Sequence, residues 1–570
     1  MRKRASVESV AEAYLELLAA RGVEYFFGNA GTDFAPIIEA FARREAQGQA
    51  RPRPMTVPHE IPAVAMAHGY AMVTGRPQVV MVHVTVGTAN ALSGIINAAR
   101  ARAPMLMSAG RTPITEGGVP GARNRHIHWA QESFDQAAMV REYVKWDYEL
   151  RTPTQVETVV DRALAIATSE PAGPVYLALP REVLTERLSE IEYFDPSRLS
   201  PASGRVADPA AVDAAARLLA GARNPIIIAK SSGRDPGAVA QLVRLAEALA
   251  IPVFEQASTH LNFPQTHPLF AGSDPAPLFA EVDAIVVVEA DAPWFPDLKA
   301  PRPETPVIQI GEDPLFSRYP IRGFAGDLAL AGTPRLTLAA LADAVARAGA
   351  EPRLVAERRT RWEAEHRRLD DAAAARARAV QNDRPIDMAW LSRCVGEVVD
   401  DQTLVVNEYD LDINQTHLAV PGSYFSQSPA SGLGWGLGAA LGAKLAAGDR
   451  TVVCCVGDGA YFFGVPTAAH WASRAHQLPV LFIIFNNRVW NAVKRSVQSH
   501  APQGWAMRTK PMALSELEPA PDYEMICQAS GGWAERVEDP RALPDALTRA
   551  LKVVRDERRQ ALLNVICKKP

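Results

Sequence analysis

An aspartate flanked by glycines, Gly457-Asp458-Gly459, follows a short apolar run rich in β-branched residues, Val452 to Val456. A second apolar run, Val480 to Phe485, ends in Asn486-Asn487, so that Asn487 lies 29 positions after Asp458. Short buried strands separated by a helical stretch predict a βαβ unit of a parallel sheet, and ligands of such sheets sit at the carboxyl ends of the strands. Both Asp458 and Asn487 fall at such ends, with glycines that permit close backbone approach. A carboxylate, an amide oxygen and nearby carbonyls are hard oxygen ligands, suited to Mg²⁺ holding a diphosphate. An Asp-Gly turn alone is common; the Asn pair at this distance gives it chemical meaning.

A second carboxylate stands far away in the sequence. Glu60, in Val57-Pro58-His59-Glu60, begins a helix of small residues that runs through Tyr70. Against an apolar packed surface its pKa would rise and its proton would exchange readily. A helix-start acid favoured by the dipole explains the same position equally well.

Together these motifs resemble the signature of thiamine-diphosphate enzymes. In that family the Asp, the second Asn and a main-chain carbonyl two residues later hold the metal, here Asp458, Asn487 and Val489. His59-Glu60, followed by the alanine-rich stretch to His68-Gly69-Tyr70-Ala71, is similar to the pyruvate-oxidase, acetolactate-synthase and benzoylformate-decarboxylase group. There the Glu bonds the aminopyrimidine ring and drives the imino tautomer that deprotonates the thiazolium carbon. The resemblance also places Gly457, Gly459 and Ala460 at the diphosphate. It puts the Gly432 carbonyl at the amine, and Leu433 as the apolar wedge that bends the coenzyme.

Local motifs lean towards the benzoylformate-decarboxylase branch. Gly28-Asn29-Ala30-Gly31-Thr32 resembles its Gly-Asn-Pro-Gly-Ser turn; Thr32 keeps the hydroxyl that meets a substrate carboxylate, although Ala30 departs from the proline. Val82-His83, followed by Gly87-Thr88-Ala89-Asn90-Ala91, resembles a strand end carrying a catalytic histidine, and acetolactate synthases usually have none there. His267, in Asn262 to Pro268, resembles a second active-site histidine. His126 and His128 read as surface or loop residues. Lys494-Arg495 reads as a solvated pair or as a contact for an anionic or CoA-bearing substrate.

The resemblance thus implies a lyase or transferase that acts on a small 2-oxo acid, releasing carbon dioxide and forming an enamine that is protonated or attacks a second carbonyl. Alternatives are an acetolactate-synthase-like carboligase, a 2-hydroxyacyl-CoA lyase and a catalytically silent coenzyme-binding homologue. Glu60 and Asp458 lie on different subunits in the family, which implies a homodimer at minimum and points to a homotetramer. In the middle of the chain, Ala229 to Gly233 and Glu289 to Trp294 depart from the flavin-contacting stretches of relatives. These departures argue against FAD and leave ADP or CoA open.

The elements that would position these residues fall into three doubly wound α/β domains, each with a mainly parallel sheet: 1–185 for the pyrimidine end of the coenzyme, 207–350 in the middle, and 385–570 for the diphosphate and metal. A helix is predicted near Val7 to Arg21, and strands at Tyr25–Phe27, Val79–Val84, Met105–Ser108 and Val175–Leu179. Asp195 to Gly204 reads as a linker. The charged stretch Arg353 to Arg378 reads as a solvated connecting helix, and Gln498 to Pro519 as a lid-like loop. No tight internal sequence repeat is visible.

The totals fit this division. A chain of 570 residues exceeds one core. Its 48% hydrophobic and 22% charged content is ordinary for a globular protein, and a net charge of −4 gives no footing for nucleic acid. The basic tip before residue 10 lacks an apolar signal core and suits an amphipathic helix. No run approaches the ~18 apolar residues of a membrane span. Five scattered cysteines without zinc spacing read as reduced thiols of a cytoplasmic protein.

Overall fold

Buried strands that alternate with helices are satisfied by a parallel sheet covered on both faces, because each strand then buries both of its sides. The computed structural model, which describes residues 1–569, builds three such layers. A terminal strand β1 (Arg2–Ser6) stands outside them. The first sheet holds β2 (Tyr25–Gly28), β3 (Arg53–Thr56), β4 (Val79–Val82), β5 (Met105–Arg111), β6 (Asp147–Glu149) and β7 (Pro174–Pro180). After β8 (Glu190–Phe194), the middle sheet holds β9 (Pro225–Ala229), β10 (Val253–Phe254), β11 (Ala284–Val288), β12 (Val307–Gly311) and β13 (Leu328–Ala331). The last sheet holds β14 (Thr403–Glu408), β15 (Tyr424–Ser426), β16 (Thr451–Gly457), β17 (Leu481–Asn486), β18 (Trp533–Val537) and β19 (Ala561–Ile566).

Spatial order is β3-β2-β4-β5-β7-β6 in the first sheet, β10-β9-β11-β12-β13 in the middle one and β15-β14-β16-β17-β19-β18 in the last. Numbered within its own domain, each terminal sheet therefore runs second, first, third, fourth, sixth, fifth. One topology occurs twice in a chain that shows no sequence repeat. In all three sheets the chain first steps to one side of its opening strand and then crosses to the other. The crevice left where the order reverses lies between β2 and β4, between β9 and β11, and between β14 and β16, and such crevices are where doubly wound sheets take ligands.

The two terminal domains share a core. The helix Glu60–Thr74 packs along the helix Trp435–Ala447 at backbone distance. A Cβ on Gly69 would collide with the Ala439 carbonyl, one on Gly442 with the Met66 carbonyl, and one on Gly438 would come within 2.7 Å of the Pro62 carbonyl. Val64, Met66, Leu437, Ala440 and Leu441 are all buried in a single apolar cluster spanning both domains.

Two expectations change. The basic tip forms β1, which pairs antiparallel with β8 from Arg2 opposite Phe194 to Ser6 opposite Glu190; Val10–Ala20 is the first helix, capped by Ser9. The strand expected to reach Val84 ends at Val82. His83 caps a helix, Val84–Ala101, whose first residue has φ +31°, a conformation a β-branched side chain seldom adopts. The charged stretch does form one long helix, Pro352–Val380.

Candidate active site

At the first crevice, Thr32 and Asp33 form a single 3₁₀ turn just beyond β2, and His83 stands just beyond β4. His83 Nδ1 donates to Asp33 Oδ1 at 2.5 Å, and the Val84 amide approaches Asp33 Oδ2 at 3.4 Å. Asp33 is 3% exposed. Its hydrogen bond is the leading reason that the His83 imidazole is held above its ordinary pKa, against the opposing pull of burial. A side chain on Gly31 would strike the His83 ring, and one on Gly110 would strike Asp33, so both glycines are needed for the pair to form.

Glu60 belongs to the same neighbourhood. It opens its helix after His59, whose Nδ1 accepts the Ile61 amide at 3.2 Å. The carboxylate is 5% exposed, takes a hydrogen bond from Asn90 Nδ2 at 3.3 Å, and lies across Gly87, where a Cβ would stand 3.2 Å from Glu60 Oε1. Asn90 and Gly87 lie on the helix that His83 caps, so one helix start orients both groups. Thr32 Oγ1 meets His128 Nε2 at 3.4 Å. His128, expected at the surface, is in fact buried.

At the last crevice, Gly457 ends β16 and Asp458 starts a short helix. Asp458 Oδ1 accepts the Gly459 amide at 2.9 Å and Oδ2 accepts the Arg488 amide at 2.6 Å. Asn487 Oδ1 accepts the Val489 amide at 2.9 Å. The two asparagines divide their work by strand alternation. Asn486, in β17, bonds Asn564 of the neighbouring β19, while Asn487 turns to the loop that follows, and the amide of the next residue, Arg488, reaches Asp458. Asp410, beyond β14, completes the crevice, with its Oδ2 2.6 Å from where a Gly457 Cβ would stand. It follows Tyr409, and both have positive φ, +65° and +73°. Burial pushes Asp458 up to about 7 and Asp410 up to about 6. Among the described residues neither carboxylate has a salt bridge. Two desolvated carboxylates without a salt bridge, only Asp410 feeling the field of a cation, Arg495, form the charge arrangement that a divalent oxygen-liganded cation relieves.

Three family models match the chain: the N-terminal thiamine pyrophosphate (TPP) binding domain over residues 8–139, the central domain over 212–341, and the C-terminal TPP binding domain over 409–565. The chain belongs to the thiamine pyrophosphate enzyme family. Benzoylformate decarboxylase of Pseudomonas aeruginosa is 27% identical over 86% of this chain and 88% of its own length. Sulfoacetaldehyde acetyltransferase of Castellaniella defragrans is 26% identical over 98% and 92%. A probable acetolactate synthase large subunit of Methanocaldococcus jannaschii is 23% identical over 95% and 89%. The solved 4-hydroxybenzoylformate decarboxylase of Rhodococcus jostii shares the fold, with a TM-score of 0.78 at 22% identity and 99% coverage of both chains.

In this thiamine pyrophosphate enzyme the residues singled out from sequence sort into two groups and a remainder. Glu60, His83 and Thr32 gather at the first crevice, while Gly457, Asp458, Gly459, Ala460, Asn487 and Val489 gather at the last. Gly432 offers its carbonyl to Asn97 Nδ2 at 2.8 Å and its amide to Asn97 Oδ1 at 3.0 Å, which leaves one carbonyl lone pair for a coenzyme amine. Leu433 packs half-buried on the shared core. His267 joins neither group. Its Nε2 faces Glu247 at 3.3 Å, its Nδ1 accepts the Leu269 amide at 3.1 Å, and its ring packs on Phe263, all within the middle domain. Both ring nitrogens are engaged there.

Asp33 and Asp410 are not singled out by the sequence, and His128 reads there as a surface or loop residue. Asp33 carried a usable signal, since it follows Thr32 in a turn after a first strand, facing the crevice. Asp410 and His128 carried none, because their partners are brought in by the crossover and by a long excursion after β5.

The middle crevice is self-neutralised. Lys230, beyond β9, pairs with Asp291, beyond β11, at 2.5 Å. Beside them Arg102 of the first domain and Arg234 converge on Glu289, at 2.7 and 2.9 Å, and on Glu312, at 3.2 and 3.5 Å. A phosphate entering this crevice would meet buried carboxylates whose cations are already paired.

Proposed function

We propose that this chain is a thiamine-diphosphate- and Mg²⁺-dependent enzyme that decarboxylates a 2-oxo acid without net oxidation. The observation that carries the reading is the Asp33–His83 pair beside Glu60, since a buried acid next to a histidine held towards its imidazolium supplies proton transfer at one crevice. Asp458, Asn487 and the Val489 carbonyl would hold the metal and, through it, the diphosphate. The coenzyme supplies a nucleophilic carbon and an electron sink for the carboxyl carbon. Glu60 would hold and return a proton at the aminopyrimidine nitrogen, with Asn90 fixing its carboxylate. His83, with Nδ1 committed to Asp33, would move protons at Nε2. Thr32 would meet the substrate carboxylate.

The likeness to thiamine-diphosphate enzymes, in which these two groups serve one coenzyme from different subunits, supports a homodimer with Glu60 from one subunit and Asp458 from the other. Carboligation is a second reading, favoured by synthase and acetyltransferase relatives that match nearly the whole chain.

The test is calorimetry with thiamine diphosphate and Mg²⁺, followed by carbon dioxide release from a panel of 2-oxo acids. Wild type takes up both and turns over at least one acid. Glu60→Gln keeps the coenzyme and loses about 10²–10⁴ in turnover, and Asp458→Ala loses affinity for the metal. Absence of uptake by wild type ends the reading, and full activity of Glu60→Gln removes the proton role.

A further inference from the structure

We propose that His128 is a positioning residue that fixes the Thr32 hydroxyl so that its proton points into the first crevice, towards the carboxylate of a bound 2-oxo acid. The inference rests on the functional reading above for the identity of the ligand, but its geometric part stands alone.

His128 lies in the excursion between β5 and β6 and is 2% exposed. Its Nδ1 accepts the Asn124 amide at 3.1 Å and therefore carries no proton; a neutral ring then bears its hydrogen on Nε2. That nitrogen lies 3.4 Å from Thr32 Oγ1, long for a hydrogen bond, as such contacts often are before substrate is present. A hydroxyl that accepts from Nε2–H has its own proton left to donate. Thr32 is exposed in the chain, so the proton is within a ligand's reach. Desolvation, with Arg181, Arg123 and His83 nearby, holds the His128 imidazole below its ordinary pKa and so keeps the neutral form.

The segment before the ring is tied down. Arg181 donates to the carbonyls of Gly121 at 2.8 Å and Ala122 at 2.5 Å, and to Asn124 Oδ1 at 3.4 Å. Arg123 donates to the Pro113 carbonyl at 2.8 Å and pairs with Glu132. On the other side the turn is pinned by its neighbours, since Gly31 lies against the His83 ring and Asp33 holds His83 Nδ1. Consecutive residues of one turn thus address two histidines of opposite tendency, the imidazolium-favouring His83 and the neutral His128, and the pattern separates proton transfer from substrate recognition.

Three measurements test this. Nitrogen-15 histidine shifts should show His128 as the neutral Nε2–H tautomer at neutral pH, with no substrate present. Finding the Nδ1–H tautomer or the imidazolium overturns the proposal whatever the enzyme decarboxylates. With the acid turned over fastest in the panel, His128→Phe should raise KM about tenfold, the loss of one hydrogen bond, and lower kcat by much less. His128→Gln, which keeps an N–H donor, should restore KM to within about threefold. Thr32→Ala should cost the same as His128→Phe, and the double variant no more, because the two act as one unit. An unchanged KM in His128→Phe, or additive losses in the double variant, overturns it. Should His128→Phe fail to fold, the tautomer and the Gln and Thr32→Ala variants still decide. Should no acid in the panel be turned over, the tautomer alone decides the geometric claim, and the functional reading fails separately.

Discussion

A histidine whose Nδ1 donates to a buried carboxylate stays protonated to higher pH than a free imidazole, and His83 carries that signature through Asp33. Replacing the carboxylate by an amide removes the cause, so Asp33→Asn should lower the His83 pKa, read by NMR titration of labelled histidine. The sign for stability follows from linkage. Because the folded pKa is raised, the pair stabilises the protein fully below the unfolded value of about 6.5, and that contribution fades as pH rises through the raised value. The stability gap between wild type and Asp33→Asn, from urea melts, should therefore be widest below pH 6.5 and shrink towards alkaline pH. A gap that widens with pH would show that Asp33 does not pair with an imidazolium.

Elements decide where these residues meet. The crossing of the Glu60–Thr74 and Trp435–Ala447 helices rests on the absence of side chains at Gly69, Gly438 and Gly442, where a Cβ would crowd the partner backbone. Gly442→Val should destabilise by about 1–3 kcal/mol or more through overpacking, measured by thermal or denaturant unfolding. Gly221→Ala, where an added Cβ meets nothing within 4 Å, should stay within about 0.5 kcal/mol of wild type.

Such elements were unevenly legible in the sequence. Apolar runs bounded by glycine or asparagine marked β16, β17, β5 and β7 to within a few residues, because a strand buried on both faces is written in consecutive apolar letters. The end of β4 was missed, since Val84 looks like strand and only the helix start beyond it forces the turn at His83. β1 was missed as well: an exposed edge ribbon of basic residues carries no apolar alternation, and its partner lies almost two hundred residues away. Glu60, Asp458 and Asn487 were visible as motif residues. The Asp33–His83 pair and the burial of His128 are products of crossover connections, which no local pattern records.

Across the whole molecule, one architectural device is used three times with three outcomes. The reversal crevice holds a histidine–carboxylate pair in the first domain, two buried carboxylates without a salt bridge in the last, and a closed set of ion pairs in the middle. The middle crevice is filled by Lys230 and Asp291, both largely buried. Breaking a buried pair strands a charge, so Asp291→Ala should cost about 3–5 kcal/mol, whereas the double variant Lys230→Met with Asp291→Leu should come close to neutral. Equal losses in the two variants would mean the pair is solvated. The purified protein should also show no flavin absorbance.

The ladder between Arg2–Ser6 and Glu190–Phe194 brings the start of the first domain alongside its exit. Entry and exit through a single doorway join that domain to the rest of the chain at one place, so its attachment to the last domain is carried by the shared helix seam and not by the connecting chain.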